Sequence, residues 1–311
     1  MDKICRDSIH KENMNEEQIK GLPEIRRKKL KELLAKNRIV KALEVHSGLT
    51  GLIAEKTVVQ CDDEEIGFDA MWISSLCDSA EKGKPDIELV DMSSRLHTIE
   101  EVMDVTSKPI ILDGDTGGFV EHFVYYVRTL ERIGVSAVII EDKTGLKKNS
   151  LLDDKDQLQD SIEHFCEKIR AGKNACLTKD FMIIARIESL VMGKGMDDAL
   201  LRAEEYVRAG ADGIMIHSKK NTPDEIFGFC DAFRKKDSET PIVAVPTSYG
   251  TVTEKELEEH GINVVIYANQ LIRSAVPAMI KAAQSILKNH RTYELEEDMI
   301  SVKELINFID I

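Results

Sequence analysis

The stretch PIILDGDTGG, residues 109–118, decides how the chain is read. Ile110, Ile111 and Leu112 run apolar without interruption, which suits a strand buried on both faces, as in a parallel sheet. Asp113 and Gly114 follow at once, so the strand ends in a tight polar turn. The pattern recurs on both sides. Short runs rich in Val and Ile lie at residues 39–45, 68–74, 137–141, 181–186, 213–217, 241–246 and 263–267. Between them come amphipathic stretches at helical spacing, including 119–133, 161–171, 196–209 and 223–234, with glycine stops at Gly134, Gly172 and Gly210. Eight strands alternating with helices predict an α/β fold, a (β/α)8 barrel of TIM type. An open doubly wound sheet is the alternative, but no GxGxxG follows the first run, which argues against a dinucleotide site.

The 311 residues allow two ordinary domains or one large barrel, which typically takes about 250. With no repeat or proline-rich linker dividing the chain, residues 1–22 read as a polar extension and 23–311 as a single barrel domain with C-terminal helices. Lys and Arg total 42 against 56 Asp and Glu, a net charge of −14 that argues against a nucleic-acid partner. No apolar run approaches the about 18 residues of a membrane span. The polar start lacks the apolar core of a signal peptide, and the 6 cysteines form no CxxC, so reduced thiols and a cytoplasmic location are expected. The basic run Arg26-Arg27-Lys28-Lys29-Leu30-Lys31 is interleaved with Leu22, Ile25, Leu33 and Leu34. It reads as an amphipathic helix, opened by Pro23, with a solvated basic face.

Polar residues stand at the C-terminal end of every run: Glu44 and His46, Ser74, Asp113 and Asp115, Glu141 and Asp142, Arg186 and Glu188, His217, Thr247, and Asn269. In a barrel these ends converge on one mouth, where the active sites of this fold lie. Asp113 and Asp115, with Glu141 on the next strand, form a carboxylate cluster that requires protons or a cation. Oxygen donors without clustered Cys or His suit a hard ion, Mg2+ or Mn2+. Read alone, the Asp-x-Asp turn is also explained by aspartates capping backbone amides. The loop Glu141-Asp142-Lys143-Thr144-Gly145-Leu146-Lys147-Lys148-Asn149-Ser150 is rich in donors for an anion and can close over a site.

That loop carries a resemblance. Glu141-Asp142-Lys143-x-x-x-Lys147-x-Asn149-Ser150 resembles the signature loop of the phosphoenolpyruvate mutase family, within the isocitrate lyase/phosphoenolpyruvate mutase superfamily. Leu112-Asp113-x-Asp115-Thr116-Gly117 resembles its metal-binding turn, and Val45-His46-Ser47-Gly48-Leu49-Thr50 its first strand end. The segments around Arg186, His217, Thr247 and Asn269, and the closing Ser301-Val302-Lys303-Glu304, match in order. The resemblance implies a Mg2+-dependent interconversion of phosphoenolpyruvate and phosphonopyruvate, forming the C–P bond of phosphonate biosynthesis. It implies that Asp113 holds Mg2+ directly and that Asp86, Asp115 and Glu141 reach it through water. Ser74 and Leu76 would bind the substrate's carboxylate end, with Ser150 beside them. Arg186, His217 and Asn149 would bind the phosphoryl group, Lys147 would sit on the gating loop, and Asp86 would lie near the reacting phosphorus. It also implies a homodimer or homotetramer in which the last barrel helix, about residues 274–289, packs on a neighbouring subunit. Phosphonopyruvate hydrolase is the nearest alternative, commonly with Thr where this chain has Asn149. A 2-alkylmalate or methylisocitrate lyase needs a loop cysteine that is missing here. The chain departs from the family at Ile73 and Ser75, usually glycines, at Pro85, usually Arg, at Gly145-Leu146, usually Phe-Pro, and at Gln270, usually His.

Overall fold

The computed structural model describes residues 21–36, 38–61, 64–145, 147–150 and 157–309. Of the expected extension, only Gly21 and Leu22 are among them; Leu146 also lies outside the described residues.

Helix α1, Pro23–Leu34, precedes strand β1, Val40–Val45, and α2, Gly48–Lys56. A hairpin of β2, Val58–Cys61, and β3, Glu64–Gly67, leads to β4, Ala70–Ile73, α3, Ser75–Glu81, and α4, Met92–Val105. Next come β5, Ile110–Asp113, α5, Val120–Ile133, and β6, Ala137–Glu141. Two short strands, β7, Lys143–Thr144, and β8, Leu158–Gln159, pair antiparallel before α6, Ile162–Ala175. The chain continues through β9, Met182–Ile187, α7, Gly195–Arg208, β10, Gly213–Ile216, α8, Asp224–Arg234, and β11, Ile242–Ala244. It ends with α9, Glu254–Glu259, β12, Val264–Tyr267, α10, Gln270–Asn289, and α11, Val302–Ile309.

Strands β1, β4, β5, β6, β9, β10, β11 and β12 close into a barrel in that order, and each neighbouring pair is parallel. All eight runs read from the sequence are barrel strands, with ends that differ by at most two residues. The two hairpins were not anticipated: β2 is exposed throughout, β3 carries Glu64 and Glu65, and β7 and β8 are two residues each.

Side-chain alternation divides the core in two. Ala42, Trp72, Ile111, Ile139, Ile184, Met215 and Val243 form one buried cluster inside the barrel; Leu43, Ile73, Leu112, Ile140, Ala185 and Ile216 form the other, against the helices. Leu30 of α1 joins the inner cluster and closes the bottom of the barrel. The expected solvated basic face of α1 needs correction. Arg26 is buried and donates to the carbonyls of Thr106, at 2.6 Å, and Met103, at 3.1 Å, while Arg27 donates to that of Glu131 at 2.7 Å. These guanidiniums satisfy carbonyls where α1 docks.

Gly134 ends α5 with a φ of 98°, and Gly210, with a φ of 106°, follows the cap of α7. Gly172, by contrast, is no stop, because α6 runs through it to Ala175. A β-carbon there would lie 2.5 Å from the Phe123 ring and 2.7 Å from Ile183, so glycine lets α6 approach α5 and the barrel.

Candidate active site

Side chains alternate across a strand, so the residue two beyond an inward apolar residue also points inward. Asp113 follows Ile111, Glu141 follows Ile139, Arg186 follows Ile184 and His217 follows Met215. All four line one cavity at the C-terminal mouth. Trp72, Ser74, Ser75, Leu76, Asp86, Lys147, Asn149, Ser150, Thr247 and Asn269 complete most of its wall. Ser74 caps α3, accepting from the Cys77 amide, which fixes the turn that presents Ser75 and Leu76.

Three of the expected mouth residues are used elsewhere. Glu44 accepts from the Leu271 amide at 2.9 Å and pairs with His46, so it anchors the start of α10. Asp142 is one residue out of phase with Glu141 and faces the helices. There it accepts from Arg202 at 3.1 Å, Tyr206 at 2.8 Å and Gln159 at 2.8 Å.

The metal-turn residues come together around a cation that belongs to the chain. Lys147 Nζ lies 2.7 Å from Asp86 Oδ1, donates to Ser75 Oγ at 2.5 Å and pairs closely with Asp115. Among the described residues, no group of three or more His, Cys, Asp or Glu is spaced to hold a metal ion. Burial raises Asp113, but Lys147, then Arg186 and Arg95, overcome this and bring it down to about 2. Asp115 remains raised, because burial outweighs Lys147 and Arg95. Lys147 resists the effect of burial and stays firmly protonated beside Asp115, Asp113, Glu141 and Asp86. Asp115 adopts a left-handed φ of 52°, which aspartate tolerates better than most residues. Its turn is held by Glu88, which accepts from the amide and hydroxyl of Thr116, and by Lys168, which donates to the Thr116 carbonyl at 2.7 Å. At Gly114, a β-carbon would lie 2.6 Å from Val138, so the turn needs glycine.

In donor type, though not in spacing, the carboxylates suit a divalent cation. Both oxygens of buried Glu141 accept no hydrogen bond, although Lys143 lies 3.6 Å and Arg186 3.2 Å away. Burial pushes Glu141 up to about 7, partly offset by Arg186. An oxygen-only set with an orphaned carboxylate is the chemistry that a hard, partly hydrated ion satisfies.

Opposite this cluster, Glu188 organises the second half of the site. It is fully buried and accepts from Arg186 Nε at 2.6 Å and Ser150 Oγ at 2.6 Å, with Lys143 Nζ at 3.2 Å. Burial alone would raise it, yet Arg186, with Lys143 adding to it, holds it well below the usual carboxylate range. Arg186 Nη2 approaches His217 Nδ1 at 2.9 Å, nearer than Glu188 Oε1 at 3.2 Å. A guanidinium only donates, so the shorter contact makes Nδ1 the acceptor and leaves Nε2–H as the donor for a ligand. Burial, reinforced by Arg186, lowers His217 and favours its neutral form.

A buried arginine, a neutral histidine, several carboxylates and a loop Lys and Asn now stand in one barrel mouth. The model of the phosphoenolpyruvate phosphomutase family matches residues 30–287. The chain belongs to the phosphoenolpyruvate mutase/isocitrate lyase superfamily. It is therefore an enzyme of that superfamily, similar to the phosphoenolpyruvate phosphomutase of Tetrahymena pyriformis, at 36% identity over 89% of this chain and 88% of that one. It is equally similar to the phosphonopyruvate hydrolase of a Variovorax species, at 36% identity over 89% and 92%. A phosphonopyruvate hydrolase solved with oxalate and Mg2+ superposes with a TM-score of 0.81, at 33% identity over 91% of this chain and 94% of that one.

Within this superfamily fold, all of the expected catalytic and substrate-binding residues line the cavity: Asp86, Lys147, Asn149, Arg186, His217, Ser74, Leu76 and Ser150. Asp115 does not line it, but lies behind Lys147, held by Arg95 of α4 at 2.9 Å. Sequence reasoning missed Arg95, Glu88, the Ser75 hydroxyl and the role of Glu188 as a hub. Only Glu188 carried a signal, since it stands two residues beyond inward-facing Arg186. No helix among the described residues is long and apolar enough to cross a membrane.

Proposed function

We propose that the enzyme is a phosphoenolpyruvate mutase, interconverting phosphoenolpyruvate and phosphonopyruvate in the formation of C–P bonds. The observation that carries this reading is the position of Asn149. Its Nδ2 donates to Asp86 Oδ2 at 3.0 Å, which brings a neutral donor from the loop to the carboxylate assigned to the reacting phosphorus. Phosphonopyruvate hydrolase remains the second reading, because the two relatives are equally similar.

In the mutase reading, the P–O bond breaks and its electron pair stays on the enolate oxygen. C3 of the enolate then attacks phosphorus as the C2 carbonyl re-forms, so no proton is gained or lost. Arg186 and the Nε2–H of His217 hold the phosphoryl oxygens, while Ser74 and Leu76 hold the carboxylate end. Ser150 lies 2.6 Å from Arg186 Nη2 and positions that guanidinium. Lys147 and Asn149 keep water from the transferring fragment. Asp113 would hold Mg2+ (Mn2+ is the alternative), with Asp86, Asp115 and Glu141 behind water, and the bound ion would supply positive charge to the enolate oxygen.

The same reading includes the domain division, 1–22 and 23–311, and assembly as a homodimer or homotetramer. Supporting assembly, α10 buries only Ile272 and exposes Val276, Met279, Ile280, Ile286 and Leu287. An apolar groove lined by Leu43, Val59, Ile66, Phe68 and Tyr267 flanks β1 and β12. A second copy's α10 is the proposed occupant, and sedimentation at 35.0 kDa alone would contradict it.

Phosphorus NMR with Mg2+ and phosphonopyruvate tests the reaction. Phosphoenolpyruvate is the expected product; pyruvate and inorganic phosphate would establish the hydrolase instead.

A further inference from the structure

Ser75 opens α3 directly after its cap Ser74, and its hydroxyl meets three charged groups. The residue is 5% exposed. Its Oγ accepts from Lys147 Nζ at 2.5 Å and lies 2.9 Å from Asp113 Oδ2 and 3.3 Å from Asp86 Oδ1. A hydroxyl has one proton, so the nearer carboxylate, Asp113, takes it, while the lone pairs face the ammonium. The Ser75 amide also donates to Asp113 Oδ2, at 3.2 Å. One oxygen of Asp113 is therefore gripped twice by a residue that Lys147 grips in turn.

This geometry excludes the obvious chemical role. An ammonium ringed by carboxylates is no base, and a hydroxyl donating to Asp113 is not being activated as a nucleophile. What remains is connection. Lys147 belongs to the segment between β7 and β8, whereas Asp113 ends β5. Among the described residues, Ser75 Oγ is hydrogen-bonded to both.

We propose that Ser75 is a positioning residue whose hydroxyl latches the segment at residues 147–150 to the Asp113 carboxylate, so that seating the segment and orienting Asp113 are one event. A glycine here would keep the amide contact and lose the latch. The kinetic consequence rests on the mutase reading: a looser segment admits water, and part of the transferred phosphoryl group is lost as inorganic phosphate, with pyruvate as the other product.

The test is limited trypsin proteolysis of the full chain, with the cut sites read by mass spectrometry. Ser75→Ala and Ser75→Gly are expected to speed cleavage after Lys147 and Lys148 about tenfold, the factor expected from losing a hydrogen bond to a charged group. Cleavage after exposed Lys255 should not change, which shows that the fold is intact. Ser75→Thr keeps the hydroxyl and should keep the protection. In parallel, Ser75→Ala should lower kcat more than it changes KM and raise the share of pyruvate and phosphate. Equal cleavage after Lys147 and Lys148 in the wild type and Ser75→Ala would overturn the latch, as would loss of protection in a folded Ser75→Thr protein. If the wild type converts neither phosphonopyruvate nor phosphoenolpyruvate, the mutase reading fails, while the cleavage ratios still decide the latch.

Discussion

Glu188→Gln is the substitution whose consequences the structure defines most fully. It removes one negative charge, with little change of shape, from a position where the carboxylate is fully buried and meets Arg186 at 2.6 Å and Lys143 at 3.2 Å. At roughly 3 Å and an effective dielectric of about 20, each of those attractions is worth about 5 kcal/mol. Desolvation of the buried ions opposes them, as does repulsion from Glu141. Removing one partner of such a set leaves a net cost of about 3–5 kcal/mol. At about 2 °C per kcal/mol for a chain of this size, Tm should fall by about 6–10 °C. Catalysis should fall further, because glutamine keeps one acceptor oxygen where Glu188 uses two, so either Arg186 Nε or Ser150 Oγ faces an NH2 group and loses its partner. A displacement of about 1 Å at the guanidinium costs about 100-fold in kcat, with a smaller change in KM. Calorimetry in EDTA and phosphorus NMR of turnover measure the two effects. A Tm within about 2 °C of the wild type, together with unaltered kcat, would refute the reasoning that makes Glu188 the hub of the half of the site around Arg186 and His217.

Three further expectations follow from the same geometry. The chain's one tryptophan, Trp72, lines the cavity, so Mg2+ with oxalate should change its fluorescence in the wild type and not in Asp113→Ala; an unchanged response in that variant would sink the metal assignment. The folded state holds His217 below its ordinary value, so the unfolded chain takes up its proton first as pH falls. Stability from this group is therefore full above about pH 6.5 and drains below it, at no more than about 1.4 kcal/mol per pH unit. The stability advantage of wild type over His217→Gln should shrink from about pH 7.5 to pH 5.5, and an advantage independent of pH would contradict it. Arg202→Met leaves buried Asp142 without its cation and should cost about 3–5 kcal/mol in denaturant unfolding. Adding Asp142→Leu should recover part of that loss, and purely additive losses would show that the pair is not coupled.

The barrel and the mouth were legible because both depend on a short period. Uninterrupted Val and Ile runs mark strands buried on both faces, and alternation carries the inward phase from Ile111 to Asp113, from Ile139 to Glu141 and from Ile184 to Arg186. The same rule places Asp142 outside the barrel. Local patterns failed where packing between distant segments decides. Gly172 looked like a helix stop, yet it is the point where α6 passes the Phe123 ring. Arg26 looked solvated, yet it is buried against the carbonyls at the end of α4.

The sequence by itself determined the eight strands, the turn carrying Asp113 and Asp115, and most of the side chains that enter the cavity, because strand alternation is a property of the local backbone. The tertiary structure alone decided what neutralises those acids. It folds Lys147 back among Asp86, Asp113 and Asp115, brings Arg95 across from α4, and makes Glu188 the common partner of Arg186 and Ser150. Those contacts join residues far apart in the chain, and no local periodicity encodes the path of a loop or the crossing of a helix. Only the folded barrel shows how a chain of net charge −14 gathers an arginine, a lysine and a neutral histidine into one cavity.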